Sequence, residues 1–402
     1  MLRITSNPAD LHGVIAGSAG PRATMPRDVE EGSIVMARTD DQSVAQRVLD
    51  HIEKGSTDTG AEVWREPVGN YRSESRLLAE LSLLRSVPVP FCPSAALPQT
   101  GSYVAREAAG VPLLAVRGAD GKARVFRNAC RHRGTQLANG AGCAKAFVCP
   151  YHAWTYTLEG KLRHVPHEEG FPGLDKTLHG LVPVHAQERL GLVFVTQDGP
   201  SDALLDELPV LVRPQQQVFA TAERELDVNW KIFLEGFIEG YHIRFTHPES
   251  FYPYGYDNLN LVDLYGRSSR ITYPFRRIKK LEAVPPEQRR VEGLLTYVYH
   301  VFPNVLITIL SRHTNVVILE PLSVGRTRQI TFTLANDSGD EALAEAIRDR
   351  DFVGTTGAVE DLAVVTSIQK SIGSGANNVF TFGRFESCIV HFHRELAASL
   401  LS

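Results

Sequence analysis

The chain has 402 residues, 43% of them hydrophobic, with 42 Lys and Arg against 46 Asp and Glu for a net charge of −4. That length accommodates two domains, and the slightly acidic balance draws neither nucleic acid nor an anionic membrane. Five Cys make no disulfide framework, and no run of about 18 apolar residues offers a membrane span.

Residues 1–41 are rich in Gly, Ser, Pro, Asp and Arg without periodicity, and are expected to be a poorly ordered extension. They show no apolar signal-peptide core, so a reducing cytoplasm is the expected location. A helix is expected over Gln42–Lys54, stopped by Gly55, and another over Ser73–Arg85. From about Phe91 to Val195 short strands dominate: Tyr103–Arg106, Pro112–Arg117, Arg124–Arg127 and Leu192–Val195. Asp120-Gly121 and Glu159-Gly160 mark hairpins among them. The turn-rich residues 197–210 suggest a domain boundary. Beyond it, Asn229–Thr246 reads as a helix. Strands follow at Tyr297–Phe302, Val305–Leu310, Asn315–Leu319 and Gln329–Leu334, then helices at Glu341–Asp351, Val359–Ile372 and Glu386–Leu400. The expected division is an extension and helix over 1–55, an all-β domain over 56–196 and an α+β domain on an antiparallel sheet over 197–402.

The β module carries Cys130-Arg131-His132-Arg133-Gly134 and Cys149-Pro150-Tyr151-His152-Ala153-Trp154. Two Cys and two His can hold structural zinc, but zinc modules usually pair Cys with Cys and His with His. Here each loop offers one thiolate and one imidazole, the donor set of a Rieske [2Fe–2S] centre, where two His replace two Cys on one iron. Gly134 and Pro150 suit tight ligand loops, and Tyr151 and Trp154 can shield a cluster from solvent. The remaining Cys92, Cys143 and Cys388 read as reduced thiols.

A second constellation lies in Asn229-Trp230-Lys231 and the residues up to Pro248. Glu235, Glu239 and His242 stand at i, i+4 and i+7 and share one helical face. His247 lies about 500° beyond His242 on an ideal helix, so the two converge only if the helix ends between or at them, as Pro248 favours. Two His and a carboxylate form the facial triad of non-haem Fe(II) oxygenases. The carboxylate must come from elsewhere. Glu360-Asp361 is one source, though acids at a helix start are also favoured by its dipole.

Together these motifs resemble the oxygenase (α) subunit of Rieske non-haem iron oxygenases, of the aromatic-ring-hydroxylating dioxygenase type. The resemblance covers about Val63 to the C-terminus. It implies a Rieske domain followed by a helix-grip catalytic domain, with a [2Fe–2S] cluster on Cys130, His132, Cys149 and His152. It further implies Fe(II) on His242, His247 and Asp361, Glu239 as an acidic bridge between the two centres of neighbouring subunits, and Asn229 as a polar residue near the iron. Many ring dioxygenases carry Asp where this chain has Glu239; Glu is more familiar in relatives acting on quaternary ammonium compounds. His391 and His393 look like a metal pair but are expected in helix packing or a subunit contact. The implied activity is hydroxylation of a small organic substrate with O2, within aromatic hydrocarbon catabolism. Electrons would come from an external NAD(P)H-dependent reductase or ferredoxin, since no nucleotide-binding Gly-rich turn follows a strand. A homotrimer is implied, with no nucleic-acid or membrane partner. A Rieske-type electron carrier without oxygenase chemistry is the alternative. The substrate pocket is expected to draw on Tyr252–Tyr256, Tyr297–Phe302 and Ser311–Thr314.

Overall fold

The computed structural model describes residues 41–201, 205 and 208–401, so the expected extension before Asp41 lies outside the described residues. Helix α1 (Asp41–Lys54) buries Val44, Ala45, Val48 and Leu49 along one stripe. That stripe packs with Leu261, Ile278 and Leu295 from far along the chain. Strand β1 (Trp64–Pro67) follows, and then α2 (Glu74–Ser86), whose first turn is capped by the Ser73 hydroxyl accepting from Arg76 N at 3.2 Å. Val68, Tyr71 and Leu83 join the core built by Trp230, Leu234 and Phe392. Residues up to Ser86 therefore pack with the second half of the chain, and the all-β module starts later than the expected boundary at 56.

That module begins with β2 (Val89–Pro93), β3 (Ser102–Ala108), β4 (Val111–Arg117), β5 (Ala123–Arg127) and β6 (Gly140–Cys143). It continues through β7 (Phe147–Val148), β8 (Thr155–Tyr156), β9 (Leu162–His164), β10 (Pro183–Arg189) and β11 (Leu192–Thr196). Seven of these strands pair in the order β2-β11-β10-β5-β4-β3-β6, and β7-β8-β9 form a small second sheet. Both expected hairpin turns are present, with Gly121 and Gly160 at positive φ. Phe126, Phe147, Trp154 and Tyr156 fill a core of their own.

The second half consists of β12 (Gln217–Leu226), α3 (Trp230–Glu235), α4 (Ile243–Thr246), β13 (Leu261–Tyr265), β14 (Ser268–Pro274) and β15 (Leu295–Val301). After these come β16 (Val305–Ile309), β17 (His313–Ser323), β18 (Arg326–Ala335), α5 (Asp340–Thr355), α6 (Gly357–Ser371), β19 (Val379–Phe382) and α7 (Ser387–Leu401). The sheet order is β12-β18-β17-β16-β15-β14-β13, every pair antiparallel, and β1 pairs with β19. Ile271, Val298, Leu306 and Leu319 of the sheet bury against Trp230, Leu234, Val365 and Phe392 of α3, α6 and α7. This gives the expected helices packed on an antiparallel sheet. The two halves meet through a buried ion pair, Arg106 to Glu320 at 2.7 Å, whose other carboxylate oxygen accepts from Ala109 N at 2.8 Å. No described helix is long and apolar enough to cross a membrane.

Candidate metal centres and the cavity beside them

The two Cys/His loops fold alike. Gly134 N donates to Cys130 O and Ala153 N to Cys149 O, while Cys130 N donates to Thr135 O and Cys149 N to Trp154 O. Gly134 and Ala153 occupy the equivalent position, with φ of 79° and 55°. Ala153 thus adopts a left-handed conformation that costs an L-residue roughly 1–2 kcal/mol. The loops point their Cys inward and their His outward. Cys130 and Cys149 are each 3% exposed within the module's core. His132 is half-buried and His152 exposed, their rings 4.7 Å apart. Trp154 stacks on His132 at 5.0 Å and Tyr151 on His152 at 3.7 Å, the shielding expected of them. Tyr156 adds a contact that the motif did not announce: its hydroxyl lies 3.3 Å from Cys130 Sγ and accepts from Arg131 N at 2.9 Å. Burial, then the neighbouring His152 and Arg133, lowers the His132 pKa and favours the neutral imidazole that a metal needs. Two dry thiols facing two solvent-side imidazoles fit a cluster whose inner iron takes the thiolates and whose outer iron takes the imidazoles.

The second constellation departs from the single helix expected over Asn229–Thr246. Helix α3 stops at Glu235, residues 236–242 form turns, and α4 restarts for one turn. Gly236 and Gly240 explain the break, since Gly is unfavourable inside a helix. At Gly240 only Gly fits: an added Cβ would lie 2.1 Å from Asn260 Oδ1. Tyr273 pins the broken stretch, donating toward the carbonyls of Phe237 at 3.1 Å and Glu239 at 2.8 Å. Glu235 and Glu239 consequently do not share a helical face. Glu235 turns into the core, accepting from Tyr71 at 2.7 Å and pairing with His393 at 2.9 Å.

His242 and His247 bracket α4 as its flanking residues, which brings their rings to 5.2 Å. Asp361, in the second turn of α6, closes the group: ligand atoms of His242, His247 and Asp361 all lie within 4.8 Å of one another. His247 Nε2 is 2.8 Å from Asp361 Oδ1, yet it is buried with no hydrogen-bond partner. Two polar atoms side by side without hydrogen-bond geometry are what two ligands of one ion look like. Burial opposes charge on His242, but Asp361 and Glu239 outweigh it and raise its pKa to about 10. The site is electrostatically made for a cation, and its donor set of two imidazoles and one carboxylate suits Fe(II) with open positions.

The outer imidazole nitrogens are also held. Glu239 binds Nδ1 of His242 and accepts from the Tyr241 amide. Glu360 Oε2 pairs with Nδ1 of His247 at 2.7 Å, and Ser250 donates to the same oxygen. Glu360 was noted only as half of the Glu360-Asp361 pair; its contact with His247, and Ser250 altogether, escaped the sequence reading. Asn229 does not join the group. Its Oδ1 caps α3 at Lys231 N (2.9 Å), its Nδ2 donates to Tyr71 O (3.0 Å) and Val324 O (2.8 Å), and it does not border the cavity. His391 and His393 are helix-packing residues: His391 meets Gly266 O at 2.9 Å, and His393 is buried beside Glu235.

A cavity of about 710 Å³ opens beside the group and reaches His242, His247 and Asp361. Of the expected stretches, residues 253–256 and Ser311 border it whereas Tyr252 and residues 312–314 do not, and Phe233, Phe237, Phe251 and Phe352 add to the wall. Of the 297–302 stretch only Val298 contributes, because Tyr297 and Tyr299 turn to the Arg270 guanidinium at 4.6 and 5.7 Å.

A four-donor Cys/His site ahead of a site with two imidazoles and a carboxylate defines a protein with two iron centres. Residues 87–180 match the family model of the Rieske [2Fe-2S] domain, and residues 215–402 that of the ring hydroxylating alpha subunit (catalytic domain). The chain belongs to the Rieske non-haem iron oxygenases, as an α-type oxygenase component. Among curated relatives, the carnitine monooxygenase oxygenase subunit of Acinetobacter pittii is 34% identical over 165 residues, 38% of this chain and 44% of the relative. The 2-aminobenzenesulfonate 2,3-dioxygenase subunit alpha of an Alcaligenes species is 36% identical over 168 residues, 39% and 42% respectively. The chain thus aligns with less than half the length of these relatives. The fold likeness is broader. A quaternary ammonium Rieske monooxygenase superimposes with a TM-score of 0.72 at 22% identity, covering 86% of this chain and 96% of that one. Naphthalene 1,2-dioxygenase from Rhodococcus gives 0.72 at 20%, covering 90% and 98%. The two matched domains imply a Rieske cluster and a mononuclear iron.

Proposed function

We propose that this protein is the terminal oxygenase of a multicomponent system, inserting oxygen from O2 into a small organic substrate in the cytoplasm. The observation that carries the reading is the convergence of His242, His247 and Asp361, with an orphaned buried Nε2, at the wall of an apolar cavity. Cys130, His132, Cys149 and His152 would hold the cluster, and His242, His247 and Asp361 the iron. When bound, these groups supply single-electron transfer and O2 activation, fed by a separate reductase or ferredoxin. The chain's own task is positional. Glu239 and Glu360 fix the two imidazoles, and the Phe233, Phe237 and Phe251 rings keep the cavity dry beside them.

A homotrimer with electron transfer between subunits is the assembly we favour. The two centres sit in separate cores, and no hydrogen bond or ring contact joins them among the described residues. Exposed aromatic groups neighbour each: Tyr151 stacks on His152, and Tyr241, stacked with Phe385, donates its amide to Glu239. Such patches mark interaction surfaces. The named relatives act on carnitine and an aminobenzenesulfonate, which favours a polar substrate over an aromatic hydrocarbon.

The test is metal analysis of the purified protein with its variant Asp361→Ala. The wild type should hold about three irons per chain, show the visible absorption of a [2Fe–2S] centre and sediment as a trimer. Asp361→Ala should drop to about two irons, keep the colour and lose turnover. A colourless protein would refute the cluster, and a variant with full iron content would remove Asp361 from the ligand set.

A further inference from the structure

The cavity beside the proposed iron site carries cationic groups without anionic partners. Arg224 on β12 and Arg276 and Arg277 just after β14 all border it. Their hydrogen bonds go to neutral groups alone among the described residues. Arg224 Nε donates to Gln329 Oε1 at 2.8 Å, Arg276 donates to Tyr252 O at 3.4 Å, and Arg277 donates to Ser311 Oγ at 3.2 Å and to Gly293 O. Elsewhere arginines meet carboxylates, as Arg117 meets Glu188 and Arg124 meets Asp120. Those carboxylates raise Arg117 and Arg124, whereas burial lowers Arg224. Arg224 is nonetheless an exposed residue of the edge strand β12, and its side chain borders the cavity.

Two acids border the cavity. Asp361 belongs to the proposed iron site, and Asp349 is engaged by His313 Nδ1 at 2.9 Å and Arg312 N at 3.1 Å. Asp349 thus commits one of its two oxygens to those partners, and three guanidinium groups stand against two carboxylates around the cavity. Gln329, in register with Arg224 across the β12–β18 ladder, donates to Thr331 Oγ1 at 3.0 Å and so turns its carbonyl oxygen to the guanidinium. Both Nη groups of Arg224 remain without a partner among the described residues, forming a forked donor that matches two oxygens of one oxoanion.

We propose that the cavity takes organic anions, and that Arg224, steadied by Gln329, receives their carboxylate or sulfonate head group while the aromatic wall takes the apolar body. This rests on reading the cavity as the oxygenase's substrate site. Calorimetric titration of the iron-loaded protein with benzoate, benzenesulfonate, benzamide and choline tests it without turnover. Either anion should bind at least about tenfold tighter than benzamide or choline, since a hydrogen bond to a charged group is worth that much. Preference between benzoate and benzenesulfonate then assigns the head group. Arg224→Ala should weaken anion binding about tenfold and shift benzamide by less than about twofold, with Arg224→Lys recovering part of the loss. Should Arg224→Ala fail to fold, Arg224→Gln carries the same comparison. Benzamide or choline binding as tightly as the anions, no anion binding at all, or an unchanged benzoate affinity in the variants would overturn the proposal. A protein without O2 consumption that still selects anions would refute the oxygenase reading and leave this inference standing.

Discussion

Each imidazole at the proposed iron site is held at Nδ1 so that Nε2 faces the centre. Glu239 does this for His242, and Glu360 for His247. Such contacts set ring orientation and ligand basicity, and their loss typically costs 10–100-fold in metal affinity. Glu360→Ala should therefore weaken iron binding about 10–100-fold in chelator competition while the cluster's absorption stays intact. Glu360→Gln, which keeps an acceptor for His247, should lose less. Wild-type iron retention in Glu360→Ala would show that burial alone orients the ring. The sequence made Asp361 visible because a facial triad lacks a carboxylate without it. The contact of Glu360 with His247 was hidden because an acid in the first helical turn needs no partner to explain it.

Helix α3 is held in place by a polar anchor inside an apolar interface. Lys231 Nζ meets Glu80 Oε1 at 2.6 Å, with both side chains 1% exposed, and Trp230 Nε1 donates to Glu80 Oε2 at 2.9 Å. Burial lowers the Lys231 pKa, and Glu80 works against that shift. Breaking a buried pair from one side leaves an uncompensated charge and costs about 3–5 kcal/mol. Glu80→Ala should destabilise the protein by about that amount in denaturant melts. It should also loosen the α3–α4 turn that presents Glu239 and His242; a loss below about 1 kcal/mol would mean that Lys231 finds another acceptor. The break after Glu235 was partly legible, since Gly236 and Gly240 stand four apart. What outweighed the helical spacing of Glu235, Glu239 and His242 was tertiary: the Asn260 amide fills the space a side chain at 240 would need.

Across the whole molecule, stability should depend on acid through a residue that belongs to neither proposed centre. His300 is fully buried against Phe392, with Nε2 bonded to Pro303 O at 2.9 Å and Nδ1 unpartnered. Burial lowers its pKa to about 4. An unfolded His takes up a proton near pH 6.5, so between about 6.5 and 4 the unfolded state binds a proton that the native state refuses. The stabilisation is present above pH 6.5 and is lost as pH falls toward 4, by up to about 1.4 kcal/mol per pH unit. In His300→Gln, unfolding free energy measured across that window should fall less steeply with acid. An unchanged slope would assign the acid sensitivity to other groups. The same global scale explains the misplaced domain edge. Residues 64–86 lack ligand motifs, and long-range contacts such as the β1–β19 pairing, the Glu80–Lys231 ion pair and the burial of Val68, Tyr71 and Leu83 assign them to the second half.

The sequence by itself determined the donor sets of both proposed centres, because metal ligands come in fixed residue types at short spacings: Cys130 to His132, Cys149 to His152, and His242 to His247. It also determined the strand-rich module and most of the later strands, through period-two patterning and Gly-marked turns. Tertiary structure alone decided that Glu239 and Glu360 hold the outer nitrogens of those His, and that Asn229 caps a helix instead of approaching the proposed iron site. It also decided that Arg224 faces the cavity without a carboxylate. Most of these are contacts between residues far apart in sequence, such as Asn229 with Tyr71, 158 positions away. No local pattern encodes the partner a side chain meets across such a distance.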